Sequence, residues 1–117
     1  MLRLFIDQDF NHFILRGLKS RIPDIDYVTA LELGRSREQD LAHLEWALKA
    51  GRVIVSHDVN TFTRTTNELI KEGRETPGLI IVPQRLSIGK AVDDLEIFIH
   101  CADYGELKSR IEYLPLK

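Results

Sequence analysis

The sequence predicts an α/β fold, a three-layer α/β/α sandwich around a mainly parallel sheet of four or five strands. Three observations carry this reading. Val53–Val55 and Leu79–Val82 are short, unbroken apolar runs, the pattern of strands buried on both faces of a parallel sheet. Segments of helical periodicity separate the runs, as crossover connections between parallel strands require. Polar side chains begin where a run stops, as at His57, Asp58 and Asn60, and in open parallel sheets that end of a strand is where ligands meet the protein.

Taken in order, Leu2–Ile6 reads as a first strand, and Asp7 follows as the apolar run stops. Asp9 stands just before Phe10 in the position of a helix N-cap. Phe10, Phe13, Ile14 and Leu18 then keep helical spacing to about Arg21, where Pro23 ends the helix; His12 lies on its solvent side. Asp24–Thr29 reads as a second strand and Leu31–Arg37 as a loop. Ser36 with Gln39 has the form of a capping box, so a helix is expected to begin there.

In that helix Leu41, Leu44, Ala47 and Leu48 form one apolar stripe, with Trp46 on the far side where another element or a second copy of the chain could cover it. Asp40 projects from within the stripe. A carboxylate facing a core needs a metal, a basic partner or an open cleft, because an unpaired buried charge is expensive; at the first turn it could equally complement the helix dipole. After Gly51–Phe62, a third helix is expected over Thr61–Glu72, then a fourth strand over Leu79–Val82 closed by Pro83. A long amphipathic helix follows through Ile88, Ala91, Val92, Leu95, Phe98 and Ile99, with Asp93, Asp94 and Glu96 expected on its solvated face. The tail suggests a short helix and a last strand at Ile111–Leu114.

At 117 residues the chain is expected to form one domain, 1–117, with a core that needs no disulfide or metal staple. No apolar run approaches the length that crosses a bilayer, and nothing marks the N-terminus for export, so a cytoplasmic protein without membrane contact is expected. The single Cys101 has no internal partner for a bridge. With 16 basic against 18 acidic side chains, the net charge of −2 excludes global attraction to nucleic acid; a polyanion would need a local basic rim.

Three acids are expected near one sheet edge: Asp7 after the first strand, Asp58 after the third, and Asp40 at the start of the helix between. Asn60 can add a neutral oxygen, and Asp9 a further carboxylate if it is not consumed as a cap. Clustered hard oxygens without nearby Cys or paired His favour Mg²⁺ or Mn²⁺ over zinc, and a divalent cation relieves the repulsion among carboxylates. Such sites serve phosphate chemistry.

At these residues the sequence resembles the PIN-like domains, in their small bacterial and cyanobacterial branch. The branch opens with a strand ending in a DEDF- or DENL-like segment, here IDQDF, followed by a helix with an acid ahead of LEWA, here DLAHLEWA. It continues with a GRxxxTHDxNTF turn, here GRVIVSHDVNTF, a GxxxVPQRLxIGxAxxDL segment, here GLIIVPQRLSIGKAVDDL, and a tail like YLPL. The resemblance runs through nearly all of the chain and rests on the order and spacing of short motifs. It implies a PIN fold and a Mg²⁺- or Mn²⁺-dependent endoribonuclease acting on RNA, akin to the toxins of bacterial toxin–antitoxin pairs and so with a cognate antitoxin protein as partner. Position by position, Asp7, Asp40 and Asp58 match the catalytic, metal-binding acids, Asn60 the accessory position and Ser56 the small hydroxyl residue before the third-strand acid. Asn60 and Gln39 stand where acids are common, which reduces the charge offered to metal. Basic residues such as Arg35, Arg37, Arg64 and Arg85 fall in loops or helix starts, where they could contact RNA phosphates or serve as ordinary surface residues.

Two other readings compete. An aspartate after the third strand of an α/β sandwich also marks receiver-type phosphoacceptor domains, which want two adjacent acids after the first strand and a lysine after the last; here Gln8 separates the acids and Lys90 falls on a helix. A non-catalytic binding module is the third, supported by the reduced acid count at Gln39 and Asn60. His57 reads as a turn residue rather than a general base.

Overall fold

The computed structural model describes residues 1–33 and 39–116. Among them, β1 (Arg3–Ile6), β2 (Asp26–Thr29), β3 (Val53–Ser56), β4 (Leu79–Ile81) and β5 (Ile111–Tyr113) form one sheet in the order β2-β1-β3-β4-β5, with every neighbouring pair parallel. The helices are α1 (His12–Arg21), α2 (Asp40–Ala50), α3 (Thr61–Lys71), α4 (Ile88–Cys101) and α5 (Tyr104–Leu107). The chain steps from β1 to β2 on one side, then crosses back over β1 to β3, so the winding reverses between β1 and β3. In open parallel sheets the crevice at such a reversal is the ligand site.

Strand pleating sends alternate side chains to opposite faces. Leu4, Ile6, Val53, Val55, Ile80 and Val82 join Ile14 and Leu18 of α1 and Ala91, Val92, Leu95 and Ile99 of α4 in one buried cluster. Phe5, Ile54, Leu79 and Ile81 join Leu44 and Ala47 of α2 and Phe62 and Leu69 of α3 in the other. Helices thus cover both faces of the sheet. Each fully buried side chain of this kind contributes roughly 1.5–3 kcal/mol, which is how strands of three or four residues hold their register. α1 and α4 approach so closely that a Cβ on Gly17 would stand 2.8 Å from Val92 Cγ2.

Several elements differ from the sequence expectation. Asn11, not Asp9, caps α1: its side chain accepts from the Phe13 N–H at 2.8 Å, and residues 7–10 form a turn closed by the Phe10 N–H on the Asp7 carbonyl. Phe13, expected on the buried stripe, is instead 62% exposed, while Phe10, Ile14 and Leu18 are buried. α2 begins at Asp40 behind Gln39; Ser36 and the capping box built on it lie outside the described residues. The helix turns His43, Leu44 and Ala47 to the sheet, leaving Leu41 exposed, and Trp46 packs on Phe5 with ring centroids 5.5 Å apart rather than facing away. Asp94 is not on a solvated face. It is 1% exposed, pairs with Lys90 Nζ at 2.8 Å and accepts from the Leu116 N–H at 2.8 Å, so an acid from α4 fastens the segment after β5.

At the opposite edge of the sheet from the candidate site, the buried Arg52 donates through Nη1 to the Leu4 carbonyl at 3.1 Å and to Asp26 Oδ1 at 2.8 Å. Arg3 Nε adds a bond to Asp26 Oδ2 at 3.2 Å. The hydrogen bond from Arg52 is the main reason the Asp26 carboxyl sits below its ordinary value of 3.8. A lowered folded-state value means that Asp26 stabilises the fold above the unfolded value and loses that contribution as pH falls through the folded one. Asp26→Asn is therefore expected to melt below the wild type at pH 7, with the gap closing as pH falls through and below 3.8; a gap constant with pH would show that packing rather than charge holds Arg52.

Candidate functional site

The β1–β3 pairing builds the site. Phe5 and Asp7 project to the same face of the sheet, as do Ile54 and Ser56, toward α2 and α3. The Asp7 N–H bonds the Val55 carbonyl at 3.1 Å and extends the ladder one residue past β1. That places Asp7 beside Ser56, whose hydroxyl donates to Asp7 Oδ2 at 2.8 Å while Oδ1 accepts from the Gln8 N–H at 2.8 Å. Burial pushes the Asp7 carboxyl above 3.8 and the negative Asp40 adds to it, while the bonds from Ser56 and Gln8 and the charge of His43 oppose the rise.

Asp58 lies in the turn between β3 and α3 and closes the start of that helix. Its Oδ1 accepts from the N–H groups of Asn60 at 2.8 Å and Thr61 at 3.0 Å, its Oδ2 from the Thr61 hydroxyl. Its own N–H donates to Ser56 Oγ at 3.0 Å, so one serine links the two aspartates. Burial pushes the Asp58 carboxyl up, but the three bonds from Thr61 and Asn60 outweigh it and hold the group below 3.8. Burial raises the one carboxyl and hydrogen bonds lower the other, so the two aspartates linked through Ser56 differ in their affinity for a proton.

Asp7, Asp9 and Asp58 line one hollow of about 270 Å³ together with His57 and Gln84. Released from capping, Asp9 is exposed at its rim. Asp40 does not line this hollow. It lies in an adjoining depression with Gln39, Leu41, Thr61 and Thr65, and Thr61, which bonds Asp58, borders it. Asn60 is exposed at the foot of α3 and its side chain makes no capping bond. Arg64 and Arg85 are exposed; Arg35 and Arg37 lie outside the described residues.

His57 is held by both ring nitrogens. Nε2 accepts from the Asn11 N–H at 3.1 Å, which puts the ring hydrogen on Nδ1, and Nδ1 donates to the Val82 carbonyl at 2.7 Å. The ring stacks on Phe10 with centroids 4.5 Å apart. With neither nitrogen left for a substrate, its role is to bind the loops after β1 and β4 to the turn after β3.

The donor chemistry fits a hard divalent cation: each Asp7 oxygen keeps a free lone pair, as does Asp58 Oδ2, whereas both lone pairs of Asp58 Oδ1 are occupied. As the side chains stand, no group of three or more His, Cys, Asp or Glu among the described residues could hold a metal ion. Sequence reasoning passed over His43, Thr61 and Gln84. His43 is 3% exposed between Phe5 and Phe62 and biases Asp7; its signal was the three-residue spacing from Asp40, which puts both on one helical face. Thr61, three residues after Asp58, carried the signal of a reciprocal cap.

Comparison with protein-family models, with curated proteins and with solved structures returned no match for this chain.

Because the folded-state value of Asp7 is raised, its ionisation favours the unfolded chain: the stability present below 3.8 is lost as pH rises through the folded value. Asp7→Asn keeps an acceptor for Ser56 and sheds that charge. It is expected to raise the melting temperature at pH 7 by a few degrees, with a smaller gain at acid pH; a variant less stable than wild type at pH 7 would contradict the strain assigned to this carboxylate.

Proposed function

We propose that this chain is a Mg²⁺- or Mn²⁺-dependent endoribonuclease of the PIN-like type. The observation that supports the reading best is the delivery of Asp7 and Asp58 from adjacent parallel strands into one hollow at the winding reversal, with Asp9 at its rim. Asp7 and Asp58 would hold the cation; Asp9 and Asn60, which would have to turn toward it, are the further oxygens proposed for its shell, and Asp40 would act from the adjoining depression. The chemistry such a cation would supply is polarisation of a phosphodiester and a lowered pKa for a bound water. Ser56 keeps the two principal acids in register, Thr61 and the Asn60 N–H hold the Asp58 carboxyl below its ordinary value, and His57 fixes the surrounding loops. A toxin's role, with an antitoxin protein as inhibitor, is the biological setting that the sequence resemblance suggests.

Purified protein should cleave single-stranded RNA with Mn²⁺. Asp58→Asn keeps an oxygen to cap α3, so it should remain folded while losing about a hundredfold or more in rate. Undiminished cleavage by that variant would trace the activity to a contaminant.

A second reading is favoured by one observation: the order β2-β1-β3-β4-β5 is also that of receiver-type phosphoacceptors. Against it, the chain leaves β5 through Leu114, which is buried in the α1/α4 cluster, and Lys90 is tied to Asp94. Acetyl phosphate is accordingly expected to leave the intact mass unchanged; a single stable phosphate adduct on Asp58 would reverse the order of the two readings.

A further inference from the structure

Away from the acidic hollow, one face of α1 borders an open groove of about 590 Å³ lined by His12, Leu15, Arg16, Lys19, Ser20 and, from the edge strand β2, Tyr27. These α1 residues recur at helical spacing on a single side, and α1 packs against α4 elsewhere, through Gly17 and Val92. Among the described residues β2 is the edge strand of the sheet, and no strand of theirs pairs beyond it.

The lining is basic in a chain of net charge −2: Arg16 and Lys19 carry its charge, and no acid is among the lining side chains. The guanidinium of Arg16 lies over the Phe13 ring, 5.9 Å from its centroid, and Lys19 Nζ is steadied by the Pro23 carbonyl at 2.8 Å, leaving two ammonium hydrogens for a ligand. From His12 to Lys19 the helix rises about 10 Å, a span that suits successive phosphates, and Leu15 and Tyr27, half-buried against the α1/α4 cluster, line the groove with their remaining apolar and aromatic surface. A cationic track beside an aromatic platform is the arrangement that holds single-stranded nucleic acid without reading its sequence. At its upper end His12 follows Asn11, whose N–H is bonded to His57 on the wall of the acidic hollow.

We propose that this groove is a binding site for single-stranded RNA, leading the strand along α1 toward the Asp7–Asp58 hollow. The destination of the strand rests on the ribonuclease reading; the binding itself does not.

The test is fluorescence anisotropy of a labelled, unstructured RNA 12-mer in EDTA, using Asp58→Asn protein so that cleavage plays no part. Arg16→Ala with Lys19→Ala should weaken binding at least tenfold and reduce the slope of log affinity against log salt by about 1.4, the loss of two phosphate contacts. Tyr27→Leu should weaken binding severalfold while Tyr27→Phe does not, and melting curves verify that each variant is folded. Unchanged affinity in the double variant, or no binding by the parent, would overturn the proposal. So would a labelled poly-glutamate peptide binding through Arg16 and Lys19 where RNA does not, which would make the groove a docking site for an acidic protein. Binding that depends on Arg16 and Lys19, together with no Mn²⁺-dependent cleavage by the wild-type protein, would keep the groove and discard the ribonuclease reading.

Discussion

The parallel pairing of β1 with β3 is the constraint from which the rest of the site follows. It sets Ile6 opposite Val55 and therefore Asp7 beside Ser56, and it marks the point where the winding of the sheet reverses. A one-residue slip would carry Asp7 to the α1/α4 face and Phe5 out of the cluster it shares with Leu44 and Phe62. The apolar side chains that hold the strands in register therefore also hold the two aspartates.

The sheet separates two kinds of work. On the α2/α3 side, Asp7, Ser56 and His43 sit above an aromatic floor of Phe5 and Phe62, where partial burial makes carboxylates sensitive to each neighbouring charge. On the α1/α4 side, the ring of His57 continues the apolar stack through Phe10 and the buried cluster beneath it. Alternation along β3 assigns these roles: Ser56 points one way and His57 the other, and Asp58 follows where the backbone turns into α3.

Much of this was legible in the sequence because it depends on local pattern. β3 and β4 are continuous apolar runs, α3 begins at Thr61 as its spacing required, and the residues after β1 and β3 are the ones that meet. What escaped depends on what lies across the interface. Periodicity located an apolar stripe on α2 but missed its rotation, because the rings of Phe5 and Phe62 provide a place for His43 that a hydropathy pattern reads as polar. Asp94 looked like one of three solvated acids until the segment after β5 covered it and supplied an N–H. Asp9 and Asn11 are both good caps, and only the turn formed by residues 7–10 chose between them. The strand order, and with it the separation of Asp40 from the hollow that holds Asp7 and Asp58, is written in no single segment.

The imidazole of His57 has a consequence for entropy. Three connections, after β1, β3 and β4, converge on one ring through two hydrogen bonds and a stacked phenylalanine. Independently mobile loops would each lose conformational freedom when a ligand arrived, at roughly 1–2 kcal/mol per ordered residue. Here that ordering is completed at folding, so the walls of the hollow are preorganised. Affinity at this edge is then set by contacts with the ligand and by small side-chain adjustments of the carboxylates, rather than by the freezing of the loops that carry them.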